Sequence, residues 1–204
     1  AAQRRCDAEI RRARDLGLPV LGDIELFARC ADAPVAAITG SNGKSTVTAL
    51  VGAMARADGR DVRVGGNIGT PALDLLQAAA PELYVLELSS FQLETTASLN
   101  PRAAVVLNLS PDHLDRYPDM QAYLDAKLRI HAGDGVVVVN RDDPSLRVCI
   151  PARRRVVSFG AGVPAEGEYG LVDDAGRTWL ALGDERLIAL DDLGLRGSHN
   201  ALNA

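Results

Sequence analysis

At residues 38–46 the chain reads Ile38-Thr39-Gly40-Ser41-Asn42-Gly43-Lys44-Ser45-Thr46. An apolar run at 35–38 precedes this segment and is typical of a buried strand. The apolar residues that follow it have the spacing of one helix face: Val47, Leu50, Val51 and Met54. A glycine-containing turn between a strand and a helix suits a phosphate group, because backbone N–H groups and the helix N-terminus face the anion. The segment therefore predicts a phosphate loop, with Lys44 as a mobile charge and Ser45 as a possible Mg²⁺ ligand.

The segment departs from the general phosphate-loop pattern, which needs a glycine five residues before Gly43. That position is Ile38, so the pattern here is the shorter G-x-x-G-K-S-T. The alternative is a glycine-rich turn with a solvated Lys44, and spacing alone leaves it open.

Composition narrows the class of protein. The 204 residues are 47% hydrophobic, which supports a folded core. A net charge of −5 argues against general nucleic-acid binding, and no apolar run reaches the roughly 18–20 residues of a membrane span. Three distant cysteines without a Cys-x-x-Cys motif favour a reducing, cytoplasmic location. The chain does not begin with Met, so we expect it to be a piece of a longer protein.

Alternating strands and helices are predicted from residue 34 onward, which is the pattern of a doubly wound, mostly parallel α/β sheet. Predicted strands cover 35–39, 62–65, 83–88, 103–109, 135–140 and 155–159. Predicted helices cover 45–58, 70–79, 91–97 and 118–131. Before this unit we predict helices at 2–16 and 23–30, the second capped by Asp23, and a short strand at 20–21.

After residue 160 the pattern changes to short strands with tight turns. Three runs, at 169–172, 177–182 and 186–190, predict a small antiparallel β-meander. We expect it to lie beside the main sheet rather than to continue its winding. The last residues open a helix that Ser198 would cap.

Polar residues follow several predicted strands, and in parallel sheets ligands gather at those strand ends. Glu87 closes an apolar strand near the phosphate loop, which suits either a metal ligand or a paired structural carboxylate. His113 follows another strand end and could contact a ligand or a metal, or be structural. Asn67 stands near glycines and suits either substrate binding or a turn.

Three further positions leave alternatives open. Ser89 and Gln92 open the helix after Glu87, so they could cap that helix or contact a substrate. Lys127 lies on or beside the apolar stripe of the 118–131 helix, and spacing alone favours a side chain that reaches outward to solvent.

Four runs resemble the Mur ligase family. They are the segment at 39–46, Gly-Gly-Asn-Ile-Gly at 65–69, Glu-Leu-Ser-Ser-Phe-Gln-Leu-Glu at 87–94 and Asp-His-Leu-Asp-Arg-Tyr at 112–117. The last two resemble its D-glutamate-adding branch, as do Asp-Ile-Glu-Leu-Phe at 23–27 and the asparagines near the end of the chain. The shortened phosphate loop is the form that this family has.

The resemblance implies an ATP-dependent ligase of peptidoglycan synthesis that uses Mg²⁺. It would add D-glutamate to UDP-N-acetylmuramoyl-L-alanine through an acyl phosphate, as a cytoplasmic monomer without nucleic-acid or membrane partners. Lys127 would carry a carbamate. The implied catalytic residues are Lys44, His113 and Lys127. The implied metal ligands are Ser45, Glu87, His113 and the carbamate of Lys127. The implied substrate contacts are Asn67, Ser89 and Gln92. The implied ATP contacts are Gly40, Ser41, Asn42, Gly43, Lys44, Ser45, Thr46, Asn200 and Asn203.

The resemblance also implies a domain division. We expect residues 1–30 to be the tail of a UDP-binding domain with its linker, and 31–204 to be the ATP-binding domain, truncated at its last helix. The family's D-glutamate-binding domain would lie outside this sequence, so the chain alone is not expected to ligate. The rival interpretations are another Mur ligase, a folylpolyglutamate synthase, or a non-catalytic ATP-binding module.

Overall fold

The computed structural model describes residues 2–77, 79–147, 149–150, 153–194 and 198–204, with side chains from residue 8 onward except at 198 and 199. Within these residues no helix is both long and apolar enough to cross a membrane. The α-helices are α1 (Ala2–Asp15), α2 (Asp23–Cys30), α3 (Lys44–Ala57), α4 (Ser90–Glu94), α5 (Met120–Leu128), α6 (Pro144–Arg147) and α7 (Ser198–Asn203). The cap that we predicted from Ser198 depends on a side chain outside the described set.

The described strands form one nine-stranded sheet. In chain order they are β1 (Val35–Thr39), β2 (Val62–Gly66), β3 (Leu83–Glu87), β4 (Ala103–Val106), β5 (Val136–Asn140), β6 (Val156–Phe159), β7 (Tyr169–Asp174), β8 (Arg177–Leu182) and β9 (Glu185–Ala189). Their order across the sheet is β2-β3-β1-β4-β5-β6-β7-β8-β9. All pairings from β2 to β7 are parallel, so the predicted mostly parallel α/β class is confirmed. Chain order reverses beside β1, where open α/β sheets bind ligands.

The central strands are buried on both faces, as their continuous apolar runs predicted. On β3, Tyr84 and Leu86 pack into the larger apolar cluster, whereas Val85 packs into a second one. This alternation follows from the two-residue period of a strand. The second cluster also contains Val47 of α3, so α3 covers one face of the sheet directly behind the phosphate loop.

The predicted antiparallel meander is confirmed as β7–β9, but it is part of the main sheet rather than separate from it. β7 joins the edge of β6 through one parallel pairing, Phe159 with Tyr169, and a hydrogen bond runs from Gly160 N to Tyr169 O at 3.2 Å. β7, β8 and β9 then pair antiparallel. The meander therefore extends the sheet at the edge far from β2.

The helix predicted at 70–79 is replaced by a 3₁₀ turn, Ala72–Leu75, within the described part of that window. Two long-range contacts outweigh the helical pattern there. Gly66 N donates to Thr70 O at 2.9 Å, which holds the start of the window against β2. The Arg63 guanidinium donates to Leu75 O at 2.7 Å, so that carbonyl is satisfied without a continuing helix.

The strand predicted at 20–21 was wrong, because these residues form no strand. The helix predicted at 118–131 is confirmed as α5, which is shorter than predicted and is followed by a 3₁₀ turn, Arg129–His131. Asp119 is the N-cap of α5. The Asp119 carboxylate accepts from Ala122 N at 2.8 Å, which satisfies one of the free N–H groups at the helix start.

Helix α2 packs into the core of the α/β unit. Ile24 and Phe27 are fully buried, and the Phe27 ring meets Tyr84 of β3 edge-on with centroids 5.0 Å apart. Gly22 is the N-cap, so the cap predicted from Asp23 was wrong, and Asp23 instead accepts from Gln92 Nε2 at 3.0 Å. Helix α2 thus packs against the α/β unit, although it precedes the domain boundary predicted after residue 30. That boundary stays a prediction.

Candidate active site

The phosphate loop, residues 40–43, connects β1 to α3 at the carboxyl end of the sheet. Gly43 is the N-cap of α3 and has φ of 81°, a left-handed conformation that glycine adopts without a Cβ penalty. Ser45 and Thr46 follow in the first turn of the helix. The free N–H groups of that turn make it suited to an anion.

The segment after β4 holds the loop in place. Asn108 Oδ1 accepts from Asn42 N at 2.9 Å, and Asn108 Nδ2 donates back to Asn42 O at 3.0 Å. Ser110 N donates to Ser41 Oγ at 3.0 Å, while Ser41 Oγ is 3.1 Å from Ser110 O. These contacts fix Ser41 and Asn42 through groups of the protein itself.

Both lysines of the chain, Lys44 and Lys127, meet at this loop. Lys44 Nζ donates to Ser41 O at 3.1 Å, and Lys127 Nζ donates to Gly40 O at 2.9 Å. Lys127 is 2% exposed, so the outward orientation favoured by its spacing was wrong. Burial, and secondarily the charge of Lys44, lowers the pKa of Lys127 to about 8, although Asp112 opposes the shift.

Glu87 lies at the end of β3 and is 2% exposed. Ser45 Oγ donates to its Oε2 at 2.7 Å, and Asn67 Nδ2 donates to its Oε1 at 2.8 Å. No lysine, arginine or histidine of the described chain forms an ion pair with Glu87. Burying a carboxylate without a cation is costly. The Ser45 hydroxyl and the Glu87 carboxylate would therefore suit a hard cation between them.

No cluster of three His, Cys, Asp or Glu side chains suited to a metal occurs among the described residues. This agrees with Mg²⁺, which uses one or two protein carboxylates and completes its shell with water and phosphate oxygens. Ser45 and Glu87 therefore fit the predicted Mg²⁺ as two protein ligands of an ion whose other ligands would be water and phosphate oxygens.

The structure does not bring His113 into hydrogen-bonding distance of the Ser45–Glu87 pair. His113 Nε2 is 3.5 Å from Asp112 Oδ2, and its ring lies 4.8 Å from that of Phe91. The backbone of His113 has φ of 54°, which is uncommon for a residue other than glycine. Its predicted catalytic and metal contacts stay predictions.

Ser89 and Gln92 form a capping box at the start of α4. Ser89 Oγ accepts from Gln92 N at 3.2 Å, and Gln92 Oε1 accepts from Ser89 N at 3.1 Å. Gln92 Nε2 also contacts Asp23. The capping alternative is thus confirmed, and the predicted substrate contacts of both residues stay predictions.

The two predicted adenine-binding asparagines lie on α7. Asn203 Nδ2 donates to Asn200 Oδ1 at 3.3 Å. The Asn203 carboxamide lies against the phosphate loop, since a Cβ added to Gly43 would be 2.6 Å from Asn203 Oδ1. Helix α7 is therefore adjacent to the loop, which is compatible with a nucleotide contact.

Sequence reasoning missed Asn108, Ser110 and the role of Tyr123. A signal existed for the first two, because Asn108 lies near the end of the strand predicted at 103–109 and Ser110 follows that strand, where ligands gather. The sequence placed Tyr123 only in the apolar stripe of the predicted helix. In the structure its ring centroid lies 4.5 Å from Lys127 Nζ.

The sheet, the strand–loop–helix connection and the Ser45–Glu87 pair define a phosphate-loop α/β domain. Residues 38–204 match the family model described as Mur ligase middle domain. The chain belongs to this family.

The curated relatives agree on one branch of the family. The chain is 57% identical over 195 residues to UDP-N-acetylmuramoylalanine–D-glutamate ligase of Nitrosococcus oceani, covering 96% of this chain and 43% of the relative. It is 53% identical to the enzyme of the same name from Methylococcus capsulatus, covering 97% of this chain and 43% of that one. The chain thus spans less than half the length of the relatives it matches.

Solved structures of Mur ligases share the fold. A UDP-N-acetylmuramoyl-L-alanyl-D-glutamate–2,6-diaminopimelate ligase superposes with a TM-score of 0.66 at 27% identity, covering 84% of this chain and 41% of its own. MurF ligase of Thermotoga maritima, solved in complex with ADP, gives 0.67 at 24% identity, covering 88% and 45%. The second similarity is at the level of the fold alone.

Proposed function

We propose that the chain is the ATP-binding part of a ligase that joins D-glutamate to UDP-N-acetylmuramoyl-L-alanine. The observation that carries the proposal is the phosphate loop with Ser45 hydrogen-bonded to the buried carboxylate of Glu87 at 2.7 Å. The identity of 57% to a D-glutamate-adding ligase supports the choice of substrates.

The reaction needs a carboxylate to attack a phosphate, so negative charge has to be neutralised where the two meet. The substrate carboxylate oxygen bonds to the γ-phosphorus of ATP as the bond to ADP breaks. The amine of D-glutamate then attacks the acyl carbon and loses a proton, and inorganic phosphate leaves. The products are the amide, ADP and phosphate.

The loop residues would act at the phosphates. Gly40 to Gly43 and Thr46 would surround them with backbone and hydroxyl donors, and Lys44 would leave Ser41 O to bind the γ-phosphate. Ser45 and Glu87 would hold Mg²⁺, which supplies charge neutralisation at the phosphate oxygens when bound.

Lys127 would act as a carbamate. Carbon dioxide adds to a neutral amine, and a pKa lowered to about 8 leaves more neutral amine near neutral pH than an ordinary lysine has. The added group would convert a buried cation into an anion next to the loop, where it could ligate a metal. We propose His113 as a further ligand that becomes engaged when substrates bind.

The remaining predicted residues would bind the two organic substrates. Asn67, next to Glu87, together with Ser89 and Gln92 would face the muramoyl-alanine end. Asn200 and Asn203 would contact the adenine of ATP from α7. We further propose that the protein works in the cytoplasm as a monomer, without nucleic-acid or membrane partners.

Phosphate release by the full-length gene product tests this function. We expect release from ATP to require both UDP-N-acetylmuramoyl-L-alanine and D-glutamate. Equal turnover with glycine, L-alanine or diaminopimelate would contradict the choice of D-glutamate. The 204-residue chain alone should bind Mg-ATP in calorimetry without ligation.

A further inference from the structure

Tyr123 lies at the centre of the candidate site. It is 1% exposed and is one helical turn before Lys127 on α5, so both side chains lie on the same helix face. Its ring centroid is 5.2 Å from that of Tyr117 and 6.2 Å from that of His113. Tyr123 thus adjoins Lys127, the phosphate loop and the segment that carries His113.

The ring of Tyr123 forms one wall around the Lys127 amine. Nζ lies 4.5 Å from the ring centroid, within the range of a cation–π contact, while it donates to Gly40 O at 2.9 Å. The ring and the carbonyl therefore place the amine from two directions. A flexible lysine side chain has several rotamers, and this arrangement selects one of them.

The hydroxyl of Tyr123 reaches the loop itself. Its oxygen is 3.4 Å from Ser41 Oγ, which accepts from Ser110 N at 3.0 Å and lies 3.1 Å from Ser110 O. A serine hydroxyl has one proton and two lone pairs. If the Ser41 proton goes to the nearer Ser110 carbonyl, the remaining lone pair is available to Tyr123. Tyr123 then donates to Ser41.

We propose that Tyr123 is a positioning residue that sets Lys127 with its ring and the phosphate loop with its hydroxyl. The proposal deepens the proposed function, on which it rests for the roles of Lys127 and the loop. The two halves of the side chain separate experimentally, because Tyr123→Phe removes the hydroxyl and Tyr123→Leu removes the ring as well.

The position of Lys127 is measurable without any ligand, since Lys44 and Lys127 are the two lysines of the sequence. The folded chain is treated with a water-soluble acetylating reagent, and each lysine is followed by mass spectrometry. We expect Tyr123→Leu to speed acetylation of Lys127 by at least about tenfold, because the amine gains access to water. Tyr123→Phe, which keeps the ring, should show the same rate of Lys127 acetylation as the unmodified chain.

Tyr84→Leu is the matched control. Tyr84 is also 1% exposed, but it packs against Phe27 in the core and away from the loop. Loss of this ring should destabilise the chain while leaving Lys127 acetylation unchanged in the folded protein. An unchanged Lys127 rate in Tyr123→Leu, or the same acceleration in Tyr84→Leu, would overturn the role of the ring.

A double-mutant cycle of Tyr123→Phe and Ser41→Ala tests the hydroxyl, with the unfolding equilibrium constant read from urea titrations. We expect the combined effect to differ from the product of the two single effects by about threefold or more. Purely multiplicative effects would overturn the hydroxyl contact. Because this cycle keeps the ring and does not use Tyr123→Leu, it still tests the hydroxyl contact if Tyr123→Leu fails to fold.

Nucleotide binding separates this proposal from the proposed function. Calorimetry with the magnesium complex of β,γ-imido-ATP should show binding to Tyr123→Phe weakened about three- to tenfold, and unchanged binding to Tyr84→Phe. Equal binding by Tyr123→Phe and the unmodified chain would overturn the positioning of the loop. Failure of the unmodified chain to bind would contradict the proposed function, whereas acetylation and the cycle would still decide the placement of Lys127 and Ser41.

Discussion

The Ser45 hydroxyl donates a 2.7 Å hydrogen bond to the carboxylate of Glu87, 42 residues further along the chain. Ser45 is in the first turn of α3, and Glu87 ends β3, which pairs with β1 directly beside the loop. The pairing of Ile38 with Glu87 in the sheet register therefore brings the two side chains together. A hydroxyl and a carboxylate are oxygen donors of the kind that Mg²⁺ prefers, so the pair suits the proposed metal.

Replacing Glu87 with Gln should weaken Mg-ATP binding by about tenfold or more, because the ion loses its anionic ligand. ATP without Mg²⁺ should bind with nearly unchanged affinity. Thermal stability should stay the same or rise, since a buried charge is removed. Calorimetry with and without Mg²⁺ measures the difference.

Glu82→Gln is the control for this substitution. Glu82 lies just before the other end of β3, and its carboxylate accepts from Asp61 N at 2.9 Å on the protein surface. The variant should keep the full effect of Mg²⁺. If Glu87→Gln keeps it as well, Glu87 is not a metal ligand.

Lys127→Ala in the full-length protein should lose phosphate release by about a hundredfold or more, because the proposed carbamate, a metal ligand beside the phosphate loop, is missing. Added formate or acetate should restore part of the activity by occupying the space that the buried side chain leaves. Lys44→Ala should also lose activity, yet gain nothing from carboxylates, since its role is to supply positive charge. Absence of rescue for Lys127→Ala at every concentration would count against the carbamate.

Local pattern in the sequence predicted most of the sheet and the position of the loop. Continuous apolar runs specified β1, β3 and β5, because strands buried on both faces need no polar alternation. The glycines and Lys44 predicted where an anion would bind, since this chemistry depends on a short stretch of backbone.

Contacts between distant residues could not be predicted in this way. The Asn42–Asn108 pair joins residues 66 apart, and Arg63 replaces a predicted helix with a turn through Leu75 O, 12 residues away. Spacing on α5 allowed Lys127 to point either way, and the Gly40 carbonyl on another element decides its direction. Helical periodicity reports which residues share a face, but it does not report what lies opposite that face.

Gly43→Ala should destabilise the chain for two separate reasons. Its φ of 81° costs a residue with a Cβ about 1–2 kcal/mol, and that Cβ would be 2.6 Å from Asn203 Oδ1. Gly59→Ala is the matched control, because Gly59 has φ of 83° with no atom within 4 Å of an added Cβ. Urea titration should therefore show a larger loss for Gly43→Ala than for Gly59→Ala.

Adding Asn203→Ala to Gly43→Ala should recover the difference between the two glycine variants, because the clashing carboxamide is gone. The cost of the left-handed backbone should remain. No recovery in the double variant would contradict the close approach of α7 to the loop.

Glu25 should make stability depend on pH through its contacts between α2 and the segment after α4. Its carboxylate accepts from Ala97 N at 2.7 Å, Ser98 N at 2.9 Å and Ser98 Oγ at 2.7 Å. The Ala97 amide first, with Ser98 and Arg29, lowers the pKa of Glu25 from 4.5 to about 2. The unfolded chain therefore binds the proton more tightly, so this stabilisation is complete above pH 4.5 and disappears as the pH falls towards 2.

Glu25→Gln should accordingly lower the free energy of unfolding at pH 7 by about 1.5–3 kcal/mol, the usual contribution of hydrogen bonds to a charged group. Between pH 4.5 and pH 2 the difference between the variant and the unmodified chain should shrink, because protonation of Glu25 removes the same charge. Urea titrations at a series of pH values measure this difference. Glu9 is exposed on α1 and serves as the control. The free energy of unfolding of Glu9→Gln should change with pH as that of the unmodified chain does. A gap between Glu25→Gln and the unmodified chain that stays constant down to pH 2 would show that the carboxylate charge does not hold α2 to the segment after α4.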